Sequence, residues 1–152
     1  MIAIGKAEIG DLPAILDLQH DAYISEAQIY EDFNIQPLKQ TLEELEEEFH
    51  HGILLKATDD GGSIVGSVRA ISKNRVCIIG KLIVNRAYQN QGIGKKLMNA
   101  VENHYSDVNR AELFTGHKST KNLAFYERLG YTKFKEKVMN HNLTVIYLGK
   151  DI

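Results

Sequence analysis

The 152-residue sequence predicts an α/β fold: a central mixed sheet, mostly antiparallel, with helices on its faces. Three observations predict it. Strand-like runs at 53–58, 63–71 and 76–84 follow one another through short polar turns, as in a meander. The hydrophobic period then changes from 2 to 3.6 after Val84 and changes back near Arg110, the pattern of a strand–helix–strand crossover. A second helical pattern stops at Gly130 and gives way to two further strand-like runs.

Each element has a local reason. "IAIGKAE" reads as a short strand. Asp11 is placed to cap a helix with Pro13 in its first turn, and Ile15, Leu16 and Leu18 carry that helix to about Tyr23. "ISEAQIYEDFNIQPLKQ" reads as a loop containing at most a helical turn. Thr41 and Glu44 form a capping box for a helix whose apolar stripe is Leu42, Leu45 and Phe49, and Gly52 stops it. "ILLKAT", "SIVGSVRAI" and "VCIIGKLIV" are strands, separated by turns at "DDGG" and "SKNR". The third is nearly all apolar, as a strand covered on both faces should be, and Gly80 within it marks a bulge or a close backbone approach. The next helix sets Ile93, Leu97, Ala100 or Val101, and His104 on one face. Lys95, Lys96, Asn99, Glu102 and Asn103 take the other. "RAELFT" is then a parallel neighbour of the third strand, since crossovers are right-handed. Ser119 is the expected N-cap of the last helix, and "YTKFKEKV" with "LTVIYLG" closes the chain as an antiparallel hairpin.

Composition narrows the function. The length fits one domain over 1–152, and 43% hydrophobic with 25% charged residues is ordinary for a globular protein. No apolar run is long enough to span a bilayer, and the N-terminus lacks the apolar core of a signal peptide. Cys77 is the single cysteine, so no intrachain disulfide forms, and its apolar surroundings make it a packing residue. A cytoplasmic location is expected. There is no Cys/His cluster with metal-binding spacing, so no metal is expected. A net charge of −2 without a basic, aromatic strip argues against nucleic acid as a partner. That charge is unevenly spread. Residues 1–60 carry 3 Lys/Arg against 14 Asp/Glu, a net −11, whereas residues 61–152 carry 15 against 6, a net +9. The division predicts that the second part meets anions and the first part cations.

The segment "NRAYQNQGIGKKLMNAV" is the strongest chemical signal. It is not a triphosphate-binding loop, because Gln89 stands where the first glycine belongs and Lys96 where a Ser or Thr should hold magnesium. It is not a dinucleotide fingerprint, because Leu97 replaces the third small residue. What remains is Gln89, Gly92 and Gly94 at a strand-to-helix junction. A helix N-terminus offers unpaired N–H groups, and glycines let them approach a pyrophosphate.

Together with "NLAFYERLGY" about thirty residues on, this loop resembles the acetyl-CoA motif of the GCN5-related N-acetyltransferase (GNAT) superfamily, and the element order fits over the whole chain. The resemblance implies an N-acetyltransferase that moves an acetyl group from acetyl-CoA to a primary amine by direct attack in a ternary complex. It implies that backbone groups of Leu82, Ile83 and Val84 pair with the pantetheine arm. The loop residues Gln89, Asn90, Gln91, Gly92, Ile93, Gly94 and Lys95 would hold the pyrophosphate. Asn122 would contact the cofactor arm, and Tyr126 would sit beside the thioester sulfur as catalytic residue. A phenol near pKa 10 is matched well enough to a thiol near ~8.5 to protonate the departing thiolate. The acid that often stands on the strand before the loop is missing from "VCIIGKLIV"; Glu26, Glu31 and His117 are the candidate bases. In the family the segment after the first helix shapes the acceptor pocket. Here it offers Tyr23, Glu26, Tyr30, Glu31 and Phe33, which suit a cationic acceptor such as a polyamine, an amino sugar or a peptide amine. Family members often dimerise, so a homodimer is compatible with the resemblance. The alternative is a non-catalytic acyl-CoA-binding or sensing module, favoured by the missing strand acid and opposed by Tyr126.

Overall fold

The first part of the chain builds an antiparallel meander. In the computed structural model, which describes residues 1–152, β1 (Ala3–Lys6) pairs with β2 (Ile53–Thr58), β2 with β3 (Ile64–Lys73), and β3 with β4 (Val76–Val84). Asn74 and Arg75 both adopt positive φ, so a two-residue turn of the kind that suits strand twist joins β3 to β4. β4 then pairs in parallel with β5 (Arg110–Gly116), as the crossover predicted. β7 (Thr144–Asp151) lies between β5 and β6 (Thr132–Val138), giving the sheet order β1-β2-β3-β4-β5-β7-β6.

Helices cover both faces. α4 (Ile93–Glu102) buries Ile93, Leu97, Met98 and Val101 against Leu55, Val68, Cys77 and Ile79. α1 (Leu12–Tyr30) and α3 (Leu42–His51) cover the opposite face, with Leu12, Ile15, Leu45 and Leu54 in a smaller cluster. α2 (Gln36–Lys39) is one turn between them, and α5 (Thr120–Arg128) follows β5. The Thr41–Glu44 capping box forms as predicted.

Several expectations are corrected. The first helix does not stop near Tyr23; it runs on to Tyr30 through what reads as loop. Ala27 and Tyr30 are buried there, and that tertiary burial overrides a locally weak pattern. Glu31 then terminates the helix in a left-handed conformation. Asp11 does not cap with its side chain. It closes a short 3-10 turn and accepts hydrogen bonds from Glu8 N (2.8 Å) and Lys56 Nζ (2.7 Å), which lower its pKa. His104 lies beyond the end of α4 and is exposed, and Met98 fills the buried face instead. Gly52 ends α3 in an extended conformation, and a Cβ there would lie 2.3 Å from Ala70 O, so close crossing of β3 requires the glycine.

Candidate active site

β4 and β5 pair only from Val76–Ile78 to Arg110–Glu112. Beyond Ile78, β4 continues to Val84 on the meander while β5 stays with β7 as far as Gly116 opposite Val145. The two strands therefore part, and the sheet opens into a wedge. A bulge sharpens the divergence: Ser67 faces Ile83 and Arg69 faces Gly80, so β4 carries one extra residue. The strained position is Lys81, at φ 49°, rather than Gly80, where an added Cβ would meet nothing within 4 Å. A bulge was expected there; a close backbone approach at Gly80 is not found.

Leu82, Ile83 and Val84 form the β4 edge of this wedge, and the glycine loop turns at its end. Asn90 (φ 64°) and Gly92 (φ 80°) wind the loop, and Gln89 Nε2 donates to Val84 O at 3.2 Å, tying the loop to the strand. None of the seven backbone N–H groups from Gln89 to Lys95 donates to another part of the protein; the first bond of the turn is Lys96 N to Gly92 O. Free donors at the positive end of a helix dipole make an anion cradle. A Cβ on Gly94 would stand 3.2 Å from the Phe125 ring, so this glycine lets α4 lie close to α5. A cavity of about 560 Å³ beside the loop is lined by Tyr88, Gln91 and Lys96 on the loop side and by Asp59 and Asp60 of the β2–β3 turn opposite, Tyr88 Oη donating to Asp59 at 2.9 Å.

Across the wedge, α1 and α5 meet along a polar seam. Tyr23, Glu26 and Tyr30 are spaced i, i+3, i+7 and share one face of α1. Ser119, Asn122 and Tyr126 have the same spacing at the start of α5. The stripes run antiparallel. Tyr30 Oη is 2.7 Å from Ser119 Oγ. Ser119 Oγ donates to Glu26 Oε2 at 2.6 Å, and Asn122 Nδ2 donates to Glu26 Oε1 at 3.2 Å. Tyr23 and Tyr126 complete the seam, each feeling the charge of Glu26. Burial pushes the Tyr23 phenol up to about 12, with Arg69 opposing and Glu26 adding to the shift. Burial likewise drives Tyr126 far above the usual tyrosine range, reinforced by Tyr23 and Glu26. Both phenols stay protonated at neutral pH.

At the inner end of the seam lies a buried charged cluster. Arg69 donates to Gln19 Oε1 (2.5 Å), Glu48 Oε2 (2.5 Å) and Gln40 Oε1 (3.2 Å), and Lys81 Nζ also reaches Gln40 and Glu48. Burial raises the Glu48 pKa, but the hydrogen bond and charge of Arg69 outweigh it and hold the carboxyl below its usual value. Burial, then Arg69, lowers the Lys81 pKa. At the outer end, Tyr30, Glu31, Asp32 and the β6–β7 turn Asn140–Leu143 enclose a cavity of about 250 Å³.

The structure thus brings together Tyr23, Glu26, Tyr30, Asn122 and Tyr126 and places Leu82–Val84 and Gln89–Lys95 on one edge of the wedge. Glu31 is exposed at the helix end and faces the outer cavity. His117 stands apart from the seam carboxylate, its Nδ1 accepting from Thr144 N at 2.9 Å. Phe33 is 56% exposed and joins neither group. Sequence reasoning missed Ser119 as a seam residue, taking its hydroxyl for a cap that it does not form. It also missed Gln19, Gln40, Arg69 and Lys81. The i, i+3, i+7 repeat of 119, 122 and 126 was the signal for the first; the cluster has none in local spacing.

The family described as acetyltransferase (GNAT) domain matches residues 21–150. No curated protein sequence matches the chain. Among solved structures, an acetyltransferase of the GNAT family from Staphylococcus aureus MU50 superposes with a TM-score of 0.80 at 20% identity, covering 99% of each chain. The ribosomal-protein-S18-alanine N-acetyltransferase of Escherichia coli gives 0.79 at 17% identity, covering 100% of this chain and 94% of the other. The spermidine N-acetyltransferase of Vibrio cholerae, in complex with CoA and spermine, gives 0.77 at 18% identity over 99% and 95%. These likenesses carry the fold.

Proposed function

The chain belongs to the GNAT family of acetyl-CoA-dependent N-acetyltransferases, and from that premise we propose that it acetylates a primary amine of a cationic acceptor by direct attack in a ternary complex. Residues 1–152 act as one acetyltransferase domain. The observation that carries the reading is the seam: a protonated phenol, Tyr126, stands with a carboxylate, Glu26, beside a wedge whose rim offers seven free N–H donors. Those donors, from Gln89 to Lys95, suit a pyrophosphate, and the β4 edge at Leu82–Val84 suits a pantetheine arm. Asn122, on the seam with Glu26, is the side chain assigned to contact that arm. Bound acetyl-CoA supplies the activated thioester. Tyr126 gives its proton to the departing sulfur; burial makes it a weaker acid than an ordinary phenol, so the transfer depends on the proton of the attacking nitrogen that replaces it. Cys77 is buried, and its thiol is pushed up to about 11 by that burial, so an acyl-cysteine route has no nucleophile.

The acceptor side is built from Tyr23, Glu26 and Tyr30, with Glu31 and Asp32 around the outer cavity. Carboxylates with aromatic faces favour a cation, and the net −11 of residues 1–60 agrees. The relative from V. cholerae that binds spermine is a precedent for a polyamine; an amino sugar or a peptide amine meets the same chemistry. Acetylation of spermidine should outpace that of an uncharged amine of similar size, and the advantage should shrink as salt rises. Equal rates at all salt concentrations would sink the cationic acceptor. No helix is long and apolar enough to cross a membrane. A lone, reduced cysteine fits the cytoplasm, where we place the reaction. Homodimerisation is supported by the free edge of β6 and by Phe114 and Phe134, exposed beside the half-buried Tyr147, although Arg110 and Lys135 lie over the Phe134 and Tyr147 rings.

A further inference from the structure

We propose that Glu26 is the general base of the reaction and that Ser119, Tyr30 and Asn122 position it, an inference that rests on the acetyl-transfer reading above. Glu26 is the only carboxylate on the seam. β4 carries no acid before the loop. Glu48 is committed to Arg69 and Lys81. Glu31 is exposed beyond the helix end, and His117 has its Nδ1 tied to the backbone of Thr144.

The hydrogen bonds around Glu26 have a fixed direction. Lys118 N donates to Tyr30 Oη at 3.0 Å, and Ser119 Oγ gives its single proton to Glu26 Oε2. The contact between Tyr30 and Ser119 must therefore use the proton of Tyr30. A one-way chain of donors, from backbone N–H through phenol and hydroxyl, ends on the carboxylate. Asn122, itself 3.4 Å from Thr115 Oγ1, donates to the other oxygen. Tyr30 is 5% and Ser119 3% exposed, so the chain is shielded from competing water. Donors to both oxygens fix the plane of the carboxylate, and each oxygen keeps a lone pair for an incoming ammonium.

The step balances. Glu26 takes one proton from the acceptor ammonium and later releases it to solvent. The neutral nitrogen forms a bond to the thioester carbonyl carbon, and the C–S bond breaks. The sulfur receives the Tyr126 proton, and Tyr126 is restored by the second proton of the attacking nitrogen. The titratable and charged groups facing Glu26 are Tyr23 and Tyr30 on its own helix and Tyr126 on α5. His117 lies behind Tyr30, with 6.1 Å between ring centroids, and Arg69 on β3 acts through Tyr23.

The test compares pH profiles of thiol release from acetyl-CoA, using whichever of spermidine, glucosamine and a short basic peptide the parent enzyme turns over. Glu26→Gln should lower kcat/KM about 10²-fold or more and remove the acidic limb, with the acetyl-CoA thermal shift retained. Glu26→Asp, which keeps the charge but withdraws it, should keep the limb at a reduced rate. Ser119→Ala and Tyr30→Phe should lower kcat far more than they alter KM, with the acetyl-CoA thermal shift retained, as misorientation of the base does. Glu26→Gln with the parent rate and limb overturns the base while leaving acetyl transfer intact. An unchanged kcat in Ser119→Ala and Tyr30→Phe overturns the positioning. A parent that releases no thiol with any of the three amines overturns the acetyl-transfer reading and this inference with it.

Discussion

The acid role proposed for Tyr126 rests on its neighbours. Desolvation keeps its proton on, while Asn122 and Glu26 hold the seam around it. Tyr126→Phe should leave acetyl-CoA affinity unchanged and cut kcat about 10²-fold or more, as loss of a general acid does; steady-state kinetics with a cofactor titration measures both. Tyr23 makes a second, titratable prediction. Its folded pKa of about 12 exceeds the ordinary value near 10, so the folded state binds more protons between those limits. Its contribution to stability is full below about pH 10 and is lost as pH rises toward 12. Denaturant midpoints should fall across that window, and fall less steeply in Tyr23→Phe. At this scale Tyr126 and Asn122 were legible because one helical turn relates them. Arg69 was not, since its partners Gln19 and Glu48 lie 50 and 21 residues away and no local period connects them.

Among the elements, α1 departed most from expectation, and the reason is a seat made elsewhere. Its last turn is fixed by Tyr30, whose hydroxyl occupies the space beside Gly116 where a Cβ would lie 1.9 Å away. Gly116 ends β5, so α1 is long because β5 leaves room for it. Nothing between residues 23 and 30 reveals that room, and the stretch reads as loop. The strands of the meander and the final hairpin were legible because turns and alternation are local properties. Gly116→Ala should evict the Tyr30 phenol and cost about 1–3 kcal/mol, the usual penalty for overpacking a well-filled site. Thermal or urea unfolding measures it. A loss of stability without any loss of turnover would separate the two functions given to Tyr30.

For the whole molecule, the charge division read from the sequence now has a location. The acidic first part supplies α1 and the Tyr30–Asp32 wall of the outer cavity, and the basic second part supplies the loop with Lys95 and Lys96. The wedge between them came from the register of β4, and a bulge held open by a left-handed Lys81 is invisible to pattern and composition. That open register has a further consequence for dynamics. Past Ile78, β4 has no partner on the β5 side, so part of its backbone lacks the protection that the rest of the sheet enjoys. Amides from Leu82 to Val84 should differ sharply in deuterium uptake: Ile83 turns toward β3, as Asn85 does in donating to Val65 O, whereas Leu82 and Val84 turn toward the wedge. Those turned toward β3 should exchange slowly in every state, and those turned toward the wedge should exchange fast in the free protein. Acetyl-CoA should slow the fast set alone, so that local solvent exchange reports how much of the enzyme is loaded, whatever amine it acts on.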